Sequence, residues 1–418
     1  MARKFLPVSS REVIVVGGGA AGVFGAIAAA ESAPDRRVLV LEKSAEFLGK
    51  VRISGGGRCN VTHACFDVRE LVTRYPRGGS ALIGPFQRFQ PQDTVSWFEA
   101  RGVPLKTEPD GRMFPITDRS ETIVECLLTT ARRAGVELRA NFGVESIQRR
   151  DRGGFQVRLS QGESVEAGRV LLATGGCRAL AGGRLVEELG HTLVPPVPSL
   201  FTFNLETPWI RELAGVAVET TEVSVPGTEL RARGPLLMTH WGVSGPGILR
   251  LSAWGARDLH GLNYRFPLLI NWLPDRLPES VSAELDVRRR EQGARCVVNS
   301  PAGGLPARLW ERLVLAAGLT RERRWSNLSR ASQQRLVGQL RATELPVTGK
   351  STNKDEFVTC GGVPLGEVNF KTMESRRCPG LHLAGEMLDL DGLTGGFNFQ
   401  AAWTTGWIAG HAMAGHPV

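Results

Sequence analysis

The sequence has few features of membrane, disulfide-rich or metal-binding proteins. No apolar run in its 418 residues approaches the roughly 20 residues that a membrane-spanning helix needs. The seven cysteines are scattered and form no CxxC pair, which argues against a disulfide framework and against a zinc site. Residues 1–10 lack the apolar core of a secretory signal, so we expect a cytoplasmic protein without membrane attachment or bound metal.

Lysine is scarce, with 7 residues among the 51 basic ones. The formal net charge is +9, and residues 288–341, with twelve arginines and three acids, carry an excess of the same size. Such a segment suits a polyanion such as RNA. It is equally compatible with a solvated helical face in a chain that prefers arginine to lysine, and both interpretations stay open.

The first strong motif is a strand–turn–helix–strand unit near the beginning of the chain. An apolar run at residues 13–16 is typical of a buried parallel strand, and a turn with GxGxxG spacing follows it at residues 17–22. An alanine-rich helix and a second apolar strand then lead to Glu42, twenty residues after the last glycine. The combination predicts a dinucleotide site, because strand, turn, helix and acid are all in register.

The residues of this unit have distinct physical roles. Gly17 permits the tight turn, Gly19 lets the backbone approach a pyrophosphate, and Gly22 lets helix and strand pack closely. The helix N-terminus offers N–H donors and the positive end of the helix dipole to the phosphates. Glu42 can accept hydrogen bonds from a ribose diol.

Three further glycine-rich stretches follow. Residues 48–63 read LGKVRISGGGRCNVTH, residues 170–176 form an apolar strand that ends in Ala-Thr-Gly-Gly, and residues 389–400 read DLDGLTGGFNFQ before a helix of small residues. Each could be a plain surface loop or a cap. Alongside the first motif, we interpret them as backbone that lies along a cofactor.

The middle of the chain differs in character. Short alternating strands begin near Pro195 and predict an inserted β-rich domain. The basic segment follows, with helical spacing at residues 307–317 and 329–341. We interpret residues 346–350 as the linker back to the first domain.

These blocks together resemble the YhiN/BaiN/RdsA family of FAD-dependent oxidoreductases. The motifs that carry the resemblance are VVGGGAAG at 15–22, SGGGRCNVTH at 54–63, GRMFP at 111–115, THWGVSGPGIL at 239–249, VTCGGVPLGEVNFKTMES at 358–375 and LAGEMLDLDGLTGGFNFQAAW at 383–403. The resemblance implies an α/β fold: a Rossmann-like FAD-binding domain built from both chain ends, with an inserted β-barrel-like domain and a small helical subdomain. We place the FAD-binding domain at 1–194 and 346–418, the β-rich insert at 195–275 and the basic helical subdomain at 276–345.

The resemblance also implies a set of FAD-binding residues. These are Gly17, Gly18, Gly19, Ala20, Ala21, Gly22, Glu42, Lys43, Lys50, Arg58, Asn60, Val144, Thr174, Gly175, Gly385, Glu386, Asp391, Gly395, Gly396, Asn398 and Gln400. In this set Glu42 would bind the adenosine ribose, Val144 would contact the adenine through its backbone, and the residues from Gly385 onward would surround the ribityl chain and isoalloxazine. The sequence departs from the family pattern at residues 177–181, which read CRALA, and this puts the local pocket wall in doubt.

The implied activity is reduction of an activated carbon–carbon double bond with NAD(P)H as a transient reductant. The foremost hypothesis is that the protein is a dihydrouridine synthase that acts on ribosomal RNA. The alternatives are a small-molecule ene reductase, such as one for a bile-acid-like enoate, and a flavin-containing RNA-binding protein without turnover. An RNA partner would be bound through the basic segment, at Arg288, Arg289, Arg290, Arg321, Arg323 and Arg324.

The proton donor for such a reduction is assigned to Cys59, which lies in the flavin-lining motif. A buried cysteine that only packs is the competing interpretation. His63 and His240 are further candidates, each also compatible with an ordinary loop or core histidine.

Overall fold

The computed structural model describes residues 12–151, 153–177, 180–351 and 358–416. The chain divides into two compact units, one from residues 1–199 and 354–418 and the other from residues 200–353.

In its described residues, the first unit begins with eleven strands and seven α-helices. Its strands are β1 (Glu12–Val16), β2 (Arg37–Leu41), β3 (Thr62–His63), β4 (Leu105–Thr107), β5 (Arg112–Pro115), β6 (Glu137–Arg139), β7 (Val144–Arg149), β8 (Phe155–Leu159), β9 (Ser164–Ala167), β10 (Arg169–Leu172) and β11 (Val194–Ser199). Its helices are α1 (Ala20–Ser32), α2 (Gly49–Gly57), α3 (Val68–Val72), α4 (Ile83–Phe86), α5 (Pro91–Glu99), α6 (Ser120–Arg133) and α7 (Leu180–Glu188).

The second unit, as far as residues 200–351 describe it, contains six strands and six α-helices. They are β12 (Thr202–Leu205), α8 (Pro208–Glu212), β13 (Ala217–Ser224), β14 (Arg231–Met238), β15 (Gly242–Ser244), α9 (Pro246–Trp254), α10 (Ala256–Gly261), β16 (Phe266–Asn271), α11 (Pro278–Glu291), α12 (Ala307–Ala316), α13 (Arg330–Arg341) and β17 (Thr343–Ser351). The chain then returns to the first unit with β18 (Val358–Gly362), β19 (Val368–Asn369), β20 (Glu374–Ser375), β21 (Leu381–Leu383) and α14 (Phe397–Ala414).

The first unit is built on a seven-stranded sheet with the order β19-β20-β21-β10-β1-β2-β6. The five strands from β21 to β6 are parallel, and β1 lies between β10 and β2. The apolar residues of β1 are buried, as the continuous run at 13–16 predicts for a central parallel strand. The chain winds from β1 outward in one direction and later outward in the other, so the switch point lies between β1 and β10. Ligands of such sheets bind outside the carboxyl ends of the strands at that point.

Helices α1 and α14 pack against each other through glycines. A Cβ on Gly406 would lie 2.4 Å from the carbonyl oxygen of Ala21, and one on Gly410 would lie 2.3 Å from that of Gly25. These separations leave no room for a side chain, so the two helix backbones are in direct contact. The contact joins the first motif to the last across almost the whole length of the sequence.

The second unit is built on a closed barrel with the order β12-β15-β14-β13-β16-β17, and the helices of the basic segment are inserted between β16 and β17. Trp310 and Trp325 are fully buried among these helices and stack with ring centroids 6.5 Å apart. The predicted fold class, a Rossmann-type FAD domain with an inserted barrel, is confirmed.

The structure differs from the sequence interpretation at the edges of the insert. Residues 346–350 are part of β17, a barrel strand, and not a linker, because Leu345 and Val347 alternate into the barrel core as buried residues. The strand β11 begins at Val194, where the sequence interpretation ends the first domain, but the whole strand belongs to the first unit because it pairs with β18. The units therefore divide at residues 199 and 353, and not at 194 and 345.

Within the described ranges, no helix is long and apolar enough to cross a membrane. The described residues also contain no group of three or more His, Cys, Asp or Glu side chains that could hold a metal ion.

Candidate cofactor site at the switch point of the sheet

The glycine-rich turn after β1 lies at the carboxyl edge of the sheet. Gly17 has a φ of +106°, and a Cβ there would lie 2.4 Å from the carbonyl oxygen of Ala173, which follows β10. A Cβ on Gly22 would lie 2.0 Å from the carbonyl oxygen of Gly17. Only glycine fits either position, as the motif predicts.

Gly19 differs from these two glycines because its surroundings are open. It is the N-cap of α1, with ordinary extended dihedral angles, and a Cβ built on it would meet no atom of the described residues within 4 Å. Protein packing therefore does not require a glycine here. The open space lies beside the N–H groups of Ala20 and Ala21 in the first turn of the helix, where a phosphate is favoured.

The acid of the motif is held in place at the end of β2. Glu42 accepts hydrogen bonds through one carboxylate oxygen from the N–H of Gly18 at 2.7 Å, and through the other from the N–H of Ser44 at 2.8 Å. The N–H of Phe142 donates to the carbonyl oxygen of Glu42 at 2.8 Å. This contact brings Val144, at the start of β7, to the corner that Glu42 and Lys43 occupy, although about a hundred residues separate them.

A second group of predicted residues meets at the carboxyl ends of β10 and β21. Lys50 forms an ion pair of 2.5 Å with Glu386, and a Cβ on Gly175 would lie 3.8 Å from the same carboxylate. Thr174 donates to the sulfur of Met387 at 3.5 Å. Gly385 has a φ of +70° and lies against Ala21 of α1. The structure thus joins segments that the sequence separates by more than 300 residues.

The segment with three glycines adjoins the N-terminus of α14. With its amide oriented to satisfy both neighbours, Asn60 donates to the carbonyl oxygen of Thr62 and accepts from the N–H of Gly396, each at 3.0 Å. A Cβ on Gly396 would lie 2.5 Å from the carbonyl oxygen of Thr62, so the two backbones touch. Gly395 lies next to the ring of His63.

Two predicted cofactor residues near α14 have protein partners instead. The side chain of Asn398 accepts from the N–H of Gly392 and donates to its carbonyl oxygen, both at 2.8 Å, which fixes the loop before the helix. Gln400 is fully buried and accepts from the hydroxyls of Thr62 at 2.6 Å and Thr94 at 2.9 Å. Both residues therefore position the glycine-rich loop from behind.

Asp391 is also buried, and its carboxylate is paired with Arg77. The hydroxyl of Ser199 donates to the same carboxylate at 2.7 Å. Burial raises the pKa of Asp391, and the hydrogen bond from Arg77 opposes that rise. Sequence analysis missed Arg77, since nothing in its neighbourhood marks it, and only the fold brings it to Asp391.

The side chain of Arg58 has protein partners. Its guanidinium donates to Glu108 at 2.7 Å and lies 4.0 Å from the ring centroid of Phe114, which in turn contacts Gly55. Arg58 therefore supports the glycine segment through Phe114.

Cys59 has no exposed surface and a φ of +61°. Burial raises the pKa of its thiol to about 12. The proton therefore stays on sulfur at neutral pH, and losing it would leave a buried thiolate. This environment favours the packing interpretation, and the role of proton donor remains a prediction.

His63 lies half-buried, stacked on Phe397 with ring centroids 4.6 Å apart. Its Nε2 donates to the carbonyl oxygen of Asp110 at 3.1 Å, which leaves Nδ1 as an acceptor. Burial lowers the pKa of His63, so the ring is neutral at pH 7. His240 lies exposed in the second unit. The departure from the family pattern at 177–181 includes Arg178 and Ala179, which lie outside the described residues.

The turn from Gly17 to Gly22 and Glu42 form a cradle at the sheet edge, and this cradle fits a dinucleotide. Gly17 and Gly22 shape the turn, Gly19 leaves it open, and Glu42 lies at the end of the adjacent strand. The predicted residues from Gly17 to Gly22, with Glu42, Lys43, Lys50, Val144, Thr174, Gly175, Gly385 and Glu386, lie along the carboxyl edge of one sheet. Gln400, Asp391, Arg58 and Cys59 lie behind it with protein partners.

The similarity of the chain to known proteins identifies its family. The profile of the HI0933-like protein Rossmann domain matches residues 11–412. The 3-dehydro-bile acid delta(4,6)-reductase of Clostridium scindens is 29% identical over 411 residues, which cover 96% of this chain and 99% of that protein. The ribosomal RNA dihydrouridine synthase of Escherichia coli K12 is 30% identical over 406 residues, which cover 95% and 96% of the two chains.

Among solved structures, the 3-ketosteroid-delta4-(5alpha)-dehydrogenase of Rhodococcus jostii RHA1 has a similar fold. The TM-score is 0.51 at 15% identity, with 98% of each chain covered. At this identity the similarity concerns the fold alone. The profile match and the two relatives, together with the cradle, show that the chain belongs to the HI0933-like Rossmann-domain family and is an FAD-dependent oxidoreductase.

Proposed function

We propose that this protein reduces an activated carbon–carbon double bond with NAD(P)H as the reductant, and that its substrate is a uridine of ribosomal RNA. The observation that carries the proposal is the similarity, over 95% of the chain, to a protein named ribosomal RNA dihydrouridine synthase. The arginine-rich segment of the second unit supports it, because RNA is a polyanion. Such a substrate would place the reaction in the cytoplasm.

The chain's own residues would hold the cofactor in an extended arrangement. The turn at Gly17 to Gly22 and the N-terminus of α1 would take the diphosphate, and Glu42 the ribose beside it. Gly175, Gly385 and the Lys50–Glu386 pair would line the path to the glycine-rich loop before α14. When bound, FAD supplies the two-electron chemistry that no side chain can provide.

Reduction of uridine adds a hydride to C6 and a proton to C5, and the base must leave its stack to reach the site. The proton must come from an acid near the glycine-rich loop. Cys59 keeps its proton at neutral pH but has no exposed surface, and His63 is neutral with its Nε2 proton donated to a backbone carbonyl. A Cys59→Ala variant tests the first assignment: full activity would identify Cys59 as a packing residue.

The proposed function is tested by mass spectrometry of ribosomal RNA nucleosides from cells with and without the gene. We expect a dihydrouridine to disappear in the deletion strain and to return with the wild-type gene. A Gly19→Glu variant, whose carboxylate would enter the open space of the phosphate turn, should not restore it. An unchanged nucleoside profile would refute the RNA substrate.

A second candidate is a small-molecule ene reductase. The specific observation in its favour is the Clostridium scindens relative, which is 29% identical over 99% of its length and is named as a bile acid reductase. NAD(P)H oxidation by the purified holoprotein with a conjugated steroid enone, and not with RNA, would support this candidate. The relatives are named as enzymes, so they give no support to the interpretation of a binding protein without turnover.

A further inference from the structure

The twelve arginines of the basic segment are not equivalent in the folded protein. Three of them are neutralised by carboxylates within the second unit. These pairs are Arg288 with Glu284 at 2.9 Å, Arg321 with Glu311 at 2.8 Å, and Arg312 with Glu212. Two of the three, Arg288 and Arg321, are among the residues that the sequence predicts as RNA contacts.

Three more arginines bind backbone carbonyl oxygens and so join elements of the same unit. Arg335 donates to Ala317 at 3.1 Å, Arg308 donates to Glu212, and Arg341 donates to Arg276. These guanidiniums have structural partners, and an RNA phosphate would have to compete with them.

Five other arginines, distant in sequence, are brought together by the fold. Residues 293–297 pair in antiparallel fashion with residues 323–326: Trp325 donates to the carbonyl oxygen of Arg295 at 3.0 Å, and Val297 donates to that of Arg323 at 2.8 Å. The last turn of α11 adjoins this pairing, since a Cβ on Gly293 would lie 3.4 Å from the carbonyl oxygen of Arg289. The arginine patch, as we call it, consists of Arg289, Arg290, Arg295, Arg323 and Arg324.

All five side chains of the arginine patch are exposed. Within the described part of the chain, Arg323 is the only one of the five whose side chain has a hydrogen-bond partner, the carbonyl oxygen of Asn327 at the long distance of 3.4 Å. Two acids, Glu291 and Glu322, neighbour the patch in sequence, so its local excess is three positive charges. The buried Trp325 anchors the pairing from beneath and fixes the backbone from which these side chains extend.

We propose that the arginine patch binds the phosphate backbone of the RNA, and that the carboxylate-paired arginines of the same segment do not. The inference rests on the proposed RNA substrate and names the surface that holds it. An arginine without a carboxylate partner can give its planar donors to a phosphate without first breaking an ion pair. Binding at the patch also releases counterions from the RNA, which a paired arginine does less effectively.

The test compares two triple variants of the full-length holoprotein with equal loss of charge. R289Q/R295Q/R324Q removes three members of the patch, and R288Q/R312Q/R321Q removes the three carboxylate-paired arginines. Binding of fluorescein-labelled total ribosomal RNA fragments and of poly(U) is measured as a function of KCl concentration. The FAD absorbance and the melting temperature of each variant check that the fold is retained.

We expect the patch variant to lose about 2 from the slope of log K against log salt, from about 0.7 for each phosphate contact on single strands. At about 0.1 M salt this slope corresponds to roughly 100-fold weaker binding. The matched control should change binding by less than about threefold, because its arginines are already neutralised locally.

Each other outcome overturns the inference. Equal losses in both variants would mean that net charge alone governs binding, and wild-type binding that neither variant weakens would place the RNA elsewhere while leaving the proposed function intact. If the wild type binds polyglutamate as tightly as RNA, the patch serves an acidic protein. If the wild type binds no RNA, the RNA substrate and the patch fall together.

Discussion

Two glycines of the phosphate turn, Gly19 and Gly22, should respond differently to the same substitution. A Cβ on Gly19 meets nothing within 4 Å in the part of the chain that the structure describes, whereas one on Gly22 lies 2.0 Å from the carbonyl oxygen of Gly17. If the FAD diphosphate binds in the open space at Gly19, then Gly19→Ala should weaken FAD binding but leave the stability of the apoprotein unchanged. Gly22→Ala should harm the fold itself.

The magnitudes follow from the local geometry. At Gly19, the lower chain entropy of alanine in the unfolded state contributes about 0.4 to 1 kcal/mol, and the preference of the N-cap for glycine offsets about as much. The apoprotein should therefore keep its stability within about 1 kcal/mol. Loss of a charge-assisted backbone hydrogen bond to phosphate costs about 1.5 to 3 kcal/mol, so FAD affinity should fall about 10- to 150-fold.

At Gly22 the atom that clashes belongs to the backbone of a turn and cannot rotate away. Overpacking of this kind costs about 1 to 3 kcal/mol, of which better helix propensity returns about 1 kcal/mol. The apoprotein of Gly22→Ala should thus lose up to about 2 kcal/mol even without the cofactor.

The assay is urea denaturation of the apoproteins, together with FAD titration followed by flavin fluorescence. The two variants are matched controls for each other, because each adds one methyl group and the two positions lie three residues apart in the same motif. If Gly19→Ala binds FAD as tightly as the wild type does, the diphosphate does not bind in the open space at Gly19. A large loss of apoprotein stability in the same variant would show that the space is filled by protein.

Three further predictions concern titratable groups in both units. Burial alone would raise the pKa of Glu367, but hydrogen bonds from Thr192 and His191 hold it below its usual value. The stabilising contribution of the ionised Glu367 is therefore complete above the unfolded pKa of about 4.3 and is lost as pH falls through the lower folded pKa. Urea denaturation between pH 7 and pH 3 should show a shallower loss for Glu367→Gln than for the wild type, and equal slopes would contradict the assignment. Arg77→Met leaves the buried Asp391 without its cation and should cost about 3 kcal/mol at pH 7, with part of the loss recovered as pH falls and the carboxyl protonates; an unchanged unfolding midpoint would refute this pairing. Iodoacetamide at pH 8 should label the partly exposed Cys296 before the fully buried Cys59 in the folded holoprotein, as peptide mass spectrometry can determine, and early labelling of Cys59 would argue against its burial.

The cofactor domain could be read from the sequence because its signals are local. A parallel strand buried on both faces requires a continuous apolar run, and a turn with positive φ and close backbone contacts requires glycine, so residues 13–22 predict their own conformation. Glu42 follows from spacing alone, since a helix and a strand of ordinary length return the chain to the same edge. The prediction of a linker at residues 346–350 is wrong because the burial of Leu345 and Val347 depends on barrel neighbours far away in sequence.

What the sequence by itself determined is the phosphate turn, the presence of an insert and the total charge of the basic segment. Only the tertiary structure decided which members of each group can act. Gln400 and Asp391 have the chemistry of ligand-binding groups, but burial against Thr62 and Arg77 commits them to protein contacts. Arg288 and Arg289 are adjacent and identical in type, yet one is neutralised by Glu284 and the other is exposed, because successive residues of a helix point in different directions and meet different neighbours.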